Sequence, residues 1–170
     1  MTCRSTTLIA MTGAAVLMAL TCSKPAPVLV WNASGSAPIG LYYVQPAGAL
    51  FVTTLVLAMP PEPLASSLAR GGYLPRGVPL LKRILAVPGQ SVCRHELIIS
   101  VDGGNVGAAR ERDSRGRVLP VWQGCRTIAD GEVFLMNWNE PASLDSRYFG
   151  PIPTSAIIGR AEPLWTFEED

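Results

Sequence analysis

The sequence is poor in the residues used most often for acid–base catalysis. It has one histidine, His95, and only two lysines, Lys24 and Lys82, against twelve arginines. His95 lies in "CRHELIIS", at the head of a strand-like segment where a histidine is most often exposed, so a serine–histidine–aspartate triad is not expected. The sequence also lacks a Walker loop, a GxGxxG fingerprint and an HExxH motif, which argues against the enzymes built on them. We therefore expect no cofactor and no metal site.

Charge is scarce as well. Charged residues make up 16% of the 170 residues and the formal net charge is +1, so no basic stripe is available for nucleic acid. Fifteen prolines and sixteen glycines are spread along the chain, which favours short strands joined by turns. The length suits one domain with a hydrophobic core. We predict a mainly β fold of short antiparallel strands.

Several segments carry local structural signals. Those typical of strands are "LYYV", "LFVTTLVLAM", "VPLLKRILAV", "VLPVW", "GEVFLMNW" and "IIGRAEPLW". The segment "ELIISVDGGNVGAA" predicts a hairpin that turns at Asp-Gly-Gly. "PEPLASSLARGG" predicts one short helix, because proline stands near its start and two glycines follow its end. "PAPVLV" is typical of an extended linker and "WNASGSAPIG" of a loop.

One segment near the N-terminus is uncharged. Residues 5–23 contain no charged side chain and lie between Arg4 and Lys24. This pattern is typical of a secretory signal and is also just long enough to span a bilayer core of about 30 Å. The charge before the segment predicts that the chain after Lys24 is outside the cytoplasm. We predict an apolar helix at 1–24, which is a signal peptide or membrane anchor, and an exported domain at 25–170, periplasmic or facing the periplasm from the inner membrane.

The four cysteines agree with export. Cys3 and Cys22 bracket the apolar segment, which leaves Cys93 and Cys125 in the exported part. In an oxidising compartment these two can form one disulfide, which would stabilise the fold by about 3–4 kcal/mol in the chain-entropy model. Neither belongs to a CxxC motif, and a lone Cys-x-His at Cys93 and His95 is a weak metal signal.

Lys82 is the least expected residue, since it interrupts the apolar run "VPLLKRILAV". Side chains alternate along a strand, so Leu80, Lys82 and Ile84 share a face opposite Leu81 and Arg83. If that face is buried, desolvation lowers the pKa of the amine from about 10.4 by up to about 3–5 units, which brings it into the range of a general base. The alternative is an exposed or snorkelling lysine.

A partner for such an amine lies in the loop "SGSAPIG". Ser36 stands on a tight turn before a strand, where its hydroxyl and backbone amide can both face a cleft. Ser34 can add a second donor to an oxyanion hole. A neutral lysine in hydrogen-bond reach of a serine activates that nucleophile without histidine. Serines in such loops also serve simply as turn formers.

Three segments, taken together, resemble a known family. "SGSAPIG" resembles the nucleophile box of the type I signal peptidases, "LLKRILAVPGQSV" their lysine box, and "SLDSRYFGPIP" their third box. Order and spacing agree over roughly residues 30–165. The form "SAPIGLY" and the short chain are most similar to the conjugal-transfer branch, the TraF-type pilin-maturing peptidases. Two departures are Gln90, where the family often has aspartate, and "NWNEPASLDSR", which lacks the usual Gly-Asp-Asn opening.

The resemblance implies a role for each matching residue. Ser36 matches the nucleophile and Lys82 its general base. Ser34 matches the side-chain donor of the oxyanion hole, with the Ser36 amide as the other donor. Ser143 matches a serine that orients the lysine.

Two further matches lie in the third box. Asp145 and Arg147 match a pair that braces the site. In the conjugal branch the resemblance also implies direct catalysis by Asp145, and a structural ion pair is the alternative.

The resemblance implies a membrane-associated serine endopeptidase of signal-peptidase fold. Its expected substrate is a pre-pilin or another exported precursor, with small residues beside the scissile bond, and conjugative secretion components are possible partners. Cyclisation of the pilin and simple hydrolysis both stay open. The alternatives are a general type I signal peptidase and a non-catalytic exported scaffold of a secretion apparatus.

Overall fold

The computed structural model describes residues 29–167, and most of its regular structure is β. The strands are β1 (Leu29–Asn32), β2 (Gly40–Gln45), β3 (Leu55–Ala58), β4 (Leu80–Ala86), β5 (Ser91–His95), β6 (Ile98–Val101), β7 (Gly104–Ala108), β8 (Gly124–Thr127), β9 (Glu132–Leu135), β10 (Ile152–Pro153) and β11 (Ile157–Thr166). The helical segments are α1 (Leu64–Arg70), α2 (Ser146–Phe149) and a 3₁₀ turn (Thr154–Ala156). The prediction of a mainly β fold is confirmed.

The strands form two antiparallel sheets. The larger has seven strands in the order β1-β2-β11-β3-β4-β9-β10, and the smaller has four in the order β7-β6-β5-β8. A cluster that contains Val92, Ile99, Phe134 and Met136 joins the small sheet to the region of β9. The last described strand, β11, lies between β2 and β3. The C-terminal part of the domain thus connects two strands from the N-terminal part within one sheet.

Strands β3 and β4, in the middle of the large sheet, are largely buried. In β3, Val56 and Ala58 belong to one buried cluster, whereas Leu55 and Leu57 belong to another. Its neighbour β4 is buried at every position except Arg83 and Leu85. The face of β4 that carries Leu80, Lys82, Ile84 and Ala86 is fully buried, whereas the opposite face leaves Arg83 exposed. The fold therefore buries whatever stands at position 82.

Local signals predicted some elements better than others. The helix in "PEPLASSLARGG" forms as α1, and the Asp-Gly-Gly turn joins β6 to β7. The strand predicted at "VLPVW" was wrong, because that stretch contributes only an isolated bridge between Val118 and Arg112. The short turn of helix α2 was not predicted, so the described chain has more than the one helix expected. Part of the predicted linker "PAPVLV" belongs to strand β1.

The predicted signal or anchor segment lies outside the described residues. Residues 1–28 and 168–170 are not among those described, so the boundary at residue 24 and the apolar N-terminal helix stay predictions. Among residues 29–167, no helix has the length and apolar character needed to span a membrane.

Candidate active site

Lys82 lies at the centre of the site, on strand β4. Its side chain is 3% exposed, and its backbone is in register with Val56 of β3. The Nζ atom is 2.9 Å from Ser36 Oγ and 2.9 Å from Ser143 Oγ. The buried amine therefore has two hydroxyl partners, one on a surface loop and one inside the protein.

The environment of Lys82 favours its neutral form. Burial is the largest influence and lowers the pKa of the amine from 10.5 to about 8. The negative charge of Asp145 opposes this shift, the positive charge of Arg147 adds to it, and Glu140 opposes it more weakly. At pH 7 about a tenth of the amine is then uncharged, and the fraction reaches half near pH 8, which brings Lys82 into the range of a general base.

Ser36 is held by the hairpin loop that joins β1 to β2. The strands pair up to Asn32 and Gly40, and residues 33–39 leave the ladder as a compact loop. The buried Asn32 amide fills this loop, and its Nδ2 donates to the carbonyl oxygens of Ser34, Ala37 and Pro38 at 2.9–3.0 Å.

Glycine is needed where this loop returns to the sheet. A Cβ atom at Gly40 would lie 2.2 Å from the carbonyl oxygen of Trp165 on β11. No side chain fits there without moving one strand away from the other. Gly40 thus allows β11 to pack directly beside the loop that carries Ser36.

Ser34 lies next to Ser36, but its proton is directed elsewhere. Its Oγ donates to Asn32 Oδ1 at 2.8 Å and lies 3.1 Å from Ser36 Oγ. For Ser34 to donate to an oxyanion, this hydroxyl has to rotate away from Asn32. The structure brings the two serines together, and the bond to Asn32 opposes donation in the resting state.

The third box forms a buried polar layer behind Lys82. Asp145 and Arg147 are 0% and 1% exposed. They make two parallel bonds of 2.8 Å, Nε to Oδ1 and Nη2 to Oδ2, in the bidentate geometry that suits guanidinium and carboxylate. Arg147 also donates to the carbonyl oxygens of Ser143 at 3.2 Å and Glu140 at 2.8 Å.

Asp145 bonds groups that surround Ser36 and Lys82, and not these two residues themselves. Besides Arg147, its carboxylate accepts the backbone N–H of Asn137 at 3.2 Å. Within residues 29–167 no hydrogen bond joins Asp145 to Ser36 or Lys82. One connection to the amine runs through Arg147, which bonds the carbonyl oxygen of Ser143, and the Ser143 hydroxyl bonds Lys82.

A cleft of about 750 Å³ opens in front of Ser36. Tyr42, Leu55 and Ala161 contribute apolar surface to it, and the guanidinium of Arg83 lies at its margin, 5.9 Å from the Trp138 ring centroid. Lys82 does not line the cleft. A peptide in the cleft would meet the Ser36 hydroxyl first, with the amine behind it and away from bulk water.

Comparison with known proteins identifies the family of the chain. A family model described as "Signal peptidase, peptidase S26" matches residues 3–165. The chain belongs to the signal peptidase S26 family. The resemblance expected from the three boxes is therefore confirmed at the level of the family.

Individual relatives of this S26 member include conjugal and plasmid transfer proteins and a probable signal peptidase. The conjugal transfer protein TraF of Agrobacterium fabrum is 36% identical over 147 residues, 81% of this chain and 82% of the relative. The plasmid transfer protein TraF of Escherichia coli is 31% identical over 173 residues, 96% and 97% of the two chains. The probable signal peptidase I-1 of Synechocystis is 32% identical over 110 residues, 65% and 52%. A signal peptidase I structure from Enterococcus faecalis covers 67% of this chain and 97% of its own, with 17% identity and a TM-score of 0.41.

The remaining predicted residues of this S26 member lie on the small sheet. Cys93 on β5 and Cys125 on β8 are paired in register and joined by a disulfide. His95 lies beside them, with Nε2 3.8 Å from Cys125 Sγ. Because both sulfur atoms are in the disulfide, this cluster has no free thiolate to offer a metal. Lys82 lies on the other sheet, and Ser36 on the loop between two strands of that sheet.

Two residues of the site were missed in the sequence, Asn32 and Asn137. Both are buried asparagines, and each bonds main-chain groups of the segments that carry Ser36 or Lys82. Asn137 had a usable signal, because it follows the apolar run "VFLM" just as Lys82 follows "PLL". Asn32 had none, since an asparagine at the start of a serine and glycine loop is an ordinary turn residue.

Proposed function

We propose that the chain is a membrane-associated serine endopeptidase that processes a pre-pilin for conjugative transfer, with Ser36 as nucleophile and Lys82 as general base. One observation carries the proposal: a buried amine with a lowered pKa lies 2.9 Å from a serine hydroxyl that lines a peptide-sized cleft. Membership of the signal peptidase family supports the peptidase activity, and the TraF relatives support the conjugative role.

In the proposed reaction the neutral amine of Lys82 accepts the Ser36 hydroxyl proton while Oγ attacks the scissile carbonyl. Ser143 Oγ accepts an N–H of the amine, which directs the nitrogen lone pair towards Ser36. The Lys82 ammonium then gives its proton to the leaving amine, and an acyl-enzyme on Ser36 is left. The Ser36 N–H and, after rotation, the Ser34 hydroxyl are the proposed oxyanion donors.

Asp145 and Arg147 have a supporting part in this proposal. Their ion pair holds the Ser143 and Glu140 carbonyl oxygens, and so fixes the segment that presents Ser143 to the amine. The carboxylate of Asp145 also stabilises the ammonium that forms at Lys82. Asp145 acts on the reaction by charge and position, without touching the substrate.

The biological role is tested by identifying the product that is released from the acyl-enzyme. We expect a pilin precursor from the same transfer system, incubated with the full-length protein in detergent, to be cut at one bond. Mass spectrometry separates a linear product from one closed by loss of water, which forms if the N-terminal amine of the fragment held on Ser36 attacks its own ester and releases the Ser36 hydroxyl. An uncut pilin precursor contradicts the proposal.

A general signal peptidase is the second candidate, favoured by the similarity to the Synechocystis protein. The same experiment with unrelated exported precursors distinguishes the two. Comparable cleavage of several such precursors favours the general enzyme, whereas cleavage confined to the pilin favours the transfer-specific one.

The pH dependence of cleavage follows from the lowered pKa of Lys82. Only the neutral amine acts as base, so kcat/KM is expected to rise with pH and to reach half its maximum near the pKa of about 8. Initial rates on a fluorogenic peptide with alanine on both sides of the scissile bond measure this profile. A constant kcat/KM between about pH 6 and 9 would argue against Lys82 as the base.

A further inference from the structure

Asn137 contacts both the loop that carries Ser36 and the strand that carries Lys82. It lies just beyond the end of β9 and is buried, 6% exposed. Its Nδ2 donates to the carbonyl oxygen of Ser36 and to that of Leu81, the latter at 3.2 Å. Its Oδ1 accepts the backbone N–H of Arg83 at 3.0 Å. All three partners are main-chain groups, so the contacts depend on position and not on neighbouring side chains.

The asparagine side chain continues the sheet where the strand stops. The ladder between β9 and β4 ends with the N–H of Met136 donating to the Arg83 carbonyl at 2.8 Å. Beyond this bond, the main-chain groups on either side of Lys82 are paired by the Asn137 amide, which offers the same donor and acceptor as a peptide group. The second N–H of the amide remains for Ser36, and asparagine can supply all three bonds at once.

The position of the nucleophile loop depends on this bond. Asn32 fixes the internal shape of the loop, but its bonds stay within the hairpin. In the described part of the chain, the hydrogen bonds from Ser36 to β4 and to the segment after β9 are those with Lys82 and Asn137. The first changes when a proton moves during the proposed reaction, whereas the second does not.

We propose that Asn137 is a positioning residue that sets the distance between the Ser36 hydroxyl and the Lys82 amine. The proposal rests on the function proposed above. Asn137 opens the segment "NWNEPASLDSR", in which this chain departs from the family's Gly-Asp-Asn. Without the amide, the Ser36 and Leu81 carbonyls and the Arg83 N–H lose a buried partner, and the loop is free to move away from β4.

The test compares Asn137→Ala and Asn137→Ser in the full-length protein in detergent, with the alanine-flanked fluorogenic peptide as substrate. A displacement near 1 Å at a reacting pair costs about 10²-fold in rate. We therefore expect kcat per folded molecule to fall about 10²-fold in Asn137→Ala and less in Asn137→Ser, whose hydroxyl keeps one donor. KM should change less than kcat, because the amide of Asn137 lines the cleft but has its N–H groups and its oxygen already bonded to main-chain groups.

The pH at which kcat/KM reaches half its maximum is a second measurement. A loss of stability alone does not shift this midpoint. Loosening the contact between β4 and Asn137 admits water to Lys82, so the midpoint of kcat/KM should shift to higher pH. The matched control is Asn105→Ala on β7, an exposed asparagine that bonds only the N–H of Gly107. Its kcat and pH midpoint should equal those of the wild type.

The outcomes distinguish the positioning role of Asn137 from the proposed peptidase function on which it rests. Full kcat and an unchanged midpoint in folded Asn137→Ala overturn the positioning role, while Ser36→Ala, measured in parallel, still reports on the serine. If Ser36→Ala cleaves normally, the proposed function itself is wrong. Failure of both Asn137 variants to fold also overturns the proposal, because it makes Asn137 a folding residue.

Discussion

Replacing Lys82 by arginine is expected to lower kcat for precursor cleavage by about 10²–10⁴-fold, the usual contribution of a general base. Arginine keeps the positive charge and much of the length, but a guanidinium does not give up its proton in a protein. The larger head group also has to fit between Ser36 Oγ and Ser143 Oγ, which both lie 2.9 Å from the amine. Cleavage is measured by mass spectrometry of the precursor.

Methionine at the same position separates catalysis from folding. Lys82→Met removes the base but keeps a side chain of similar volume, so cleavage should be lost while the protein stays folded. Ser36→Ala, which removes the nucleophile and leaves the amine, is the matched inactive control. Normal cleavage by Lys82→Arg would disprove the proposed base, and normal cleavage by Ser36→Ala would disprove the proposed nucleophile.

Burial of Lys82, which lowers its pKa, also reduces the free energy of unfolding. The unfolded chain has the ordinary lysine pKa of 10.5, whereas the folded chain has about 8, so the unfolded state binds more protons between these values. The free energy of unfolding therefore rises with pH from about 8 to 10.5, and below this window the burial costs on the order of 3 kcal/mol. Lys82→Met should be as stable as the wild type at pH 7 or more stable, with the difference shrinking towards pH 10.

Replacing Arg147 by methionine is expected to lower the free energy of unfolding by about 3–5 kcal/mol, as found when one partner of a buried ion pair is removed. Asp145 would remain fully buried with its negative charge unpaired. The carbonyl oxygens of Glu140 and Ser143 would lose their donor as well. Urea unfolding of the protein, followed by circular dichroism, measures the change.

The matched control for Arg147 is an exposed pair on the same molecule. Arg126 and Glu132 form a salt bridge of 2.5 Å in which the arginine side chain is 52% exposed. Such surface pairs contribute about 0–1 kcal/mol, so Arg126→Met should have little effect. Equal losses for Arg126→Met and Arg147→Met would show that the buried pair does not brace the site.

The sequence predicted well whatever depends on neighbouring residues. The helix α1 followed from its proline and glycines, and the β6–β7 hairpin from Asp-Gly-Gly. The prediction at "VLPVW" failed because a short apolar run forms a strand only where another strand is available to pair with it. The turn of helix α2 was missed because it also depends on distant contacts. Its N-cap is Asp145, whose side chain accepts the N–H of Arg147 inside the buried ion pair.

What the sequence determined by itself is a lysine inside an apolar strand, a serine on a tight loop, and three boxes in family order. The tertiary structure alone decided that this lysine is buried, because β4 became an interior strand whose Lys82 face is covered while Arg83 on the other face stays exposed. It also decided which partners meet: Lys82 is 46 residues from Ser36 and 61 from Ser143, and Asn137 is 101 from Ser36. Contacts across such separations follow from the order of strands in the sheet, which no local pattern of residues encodes.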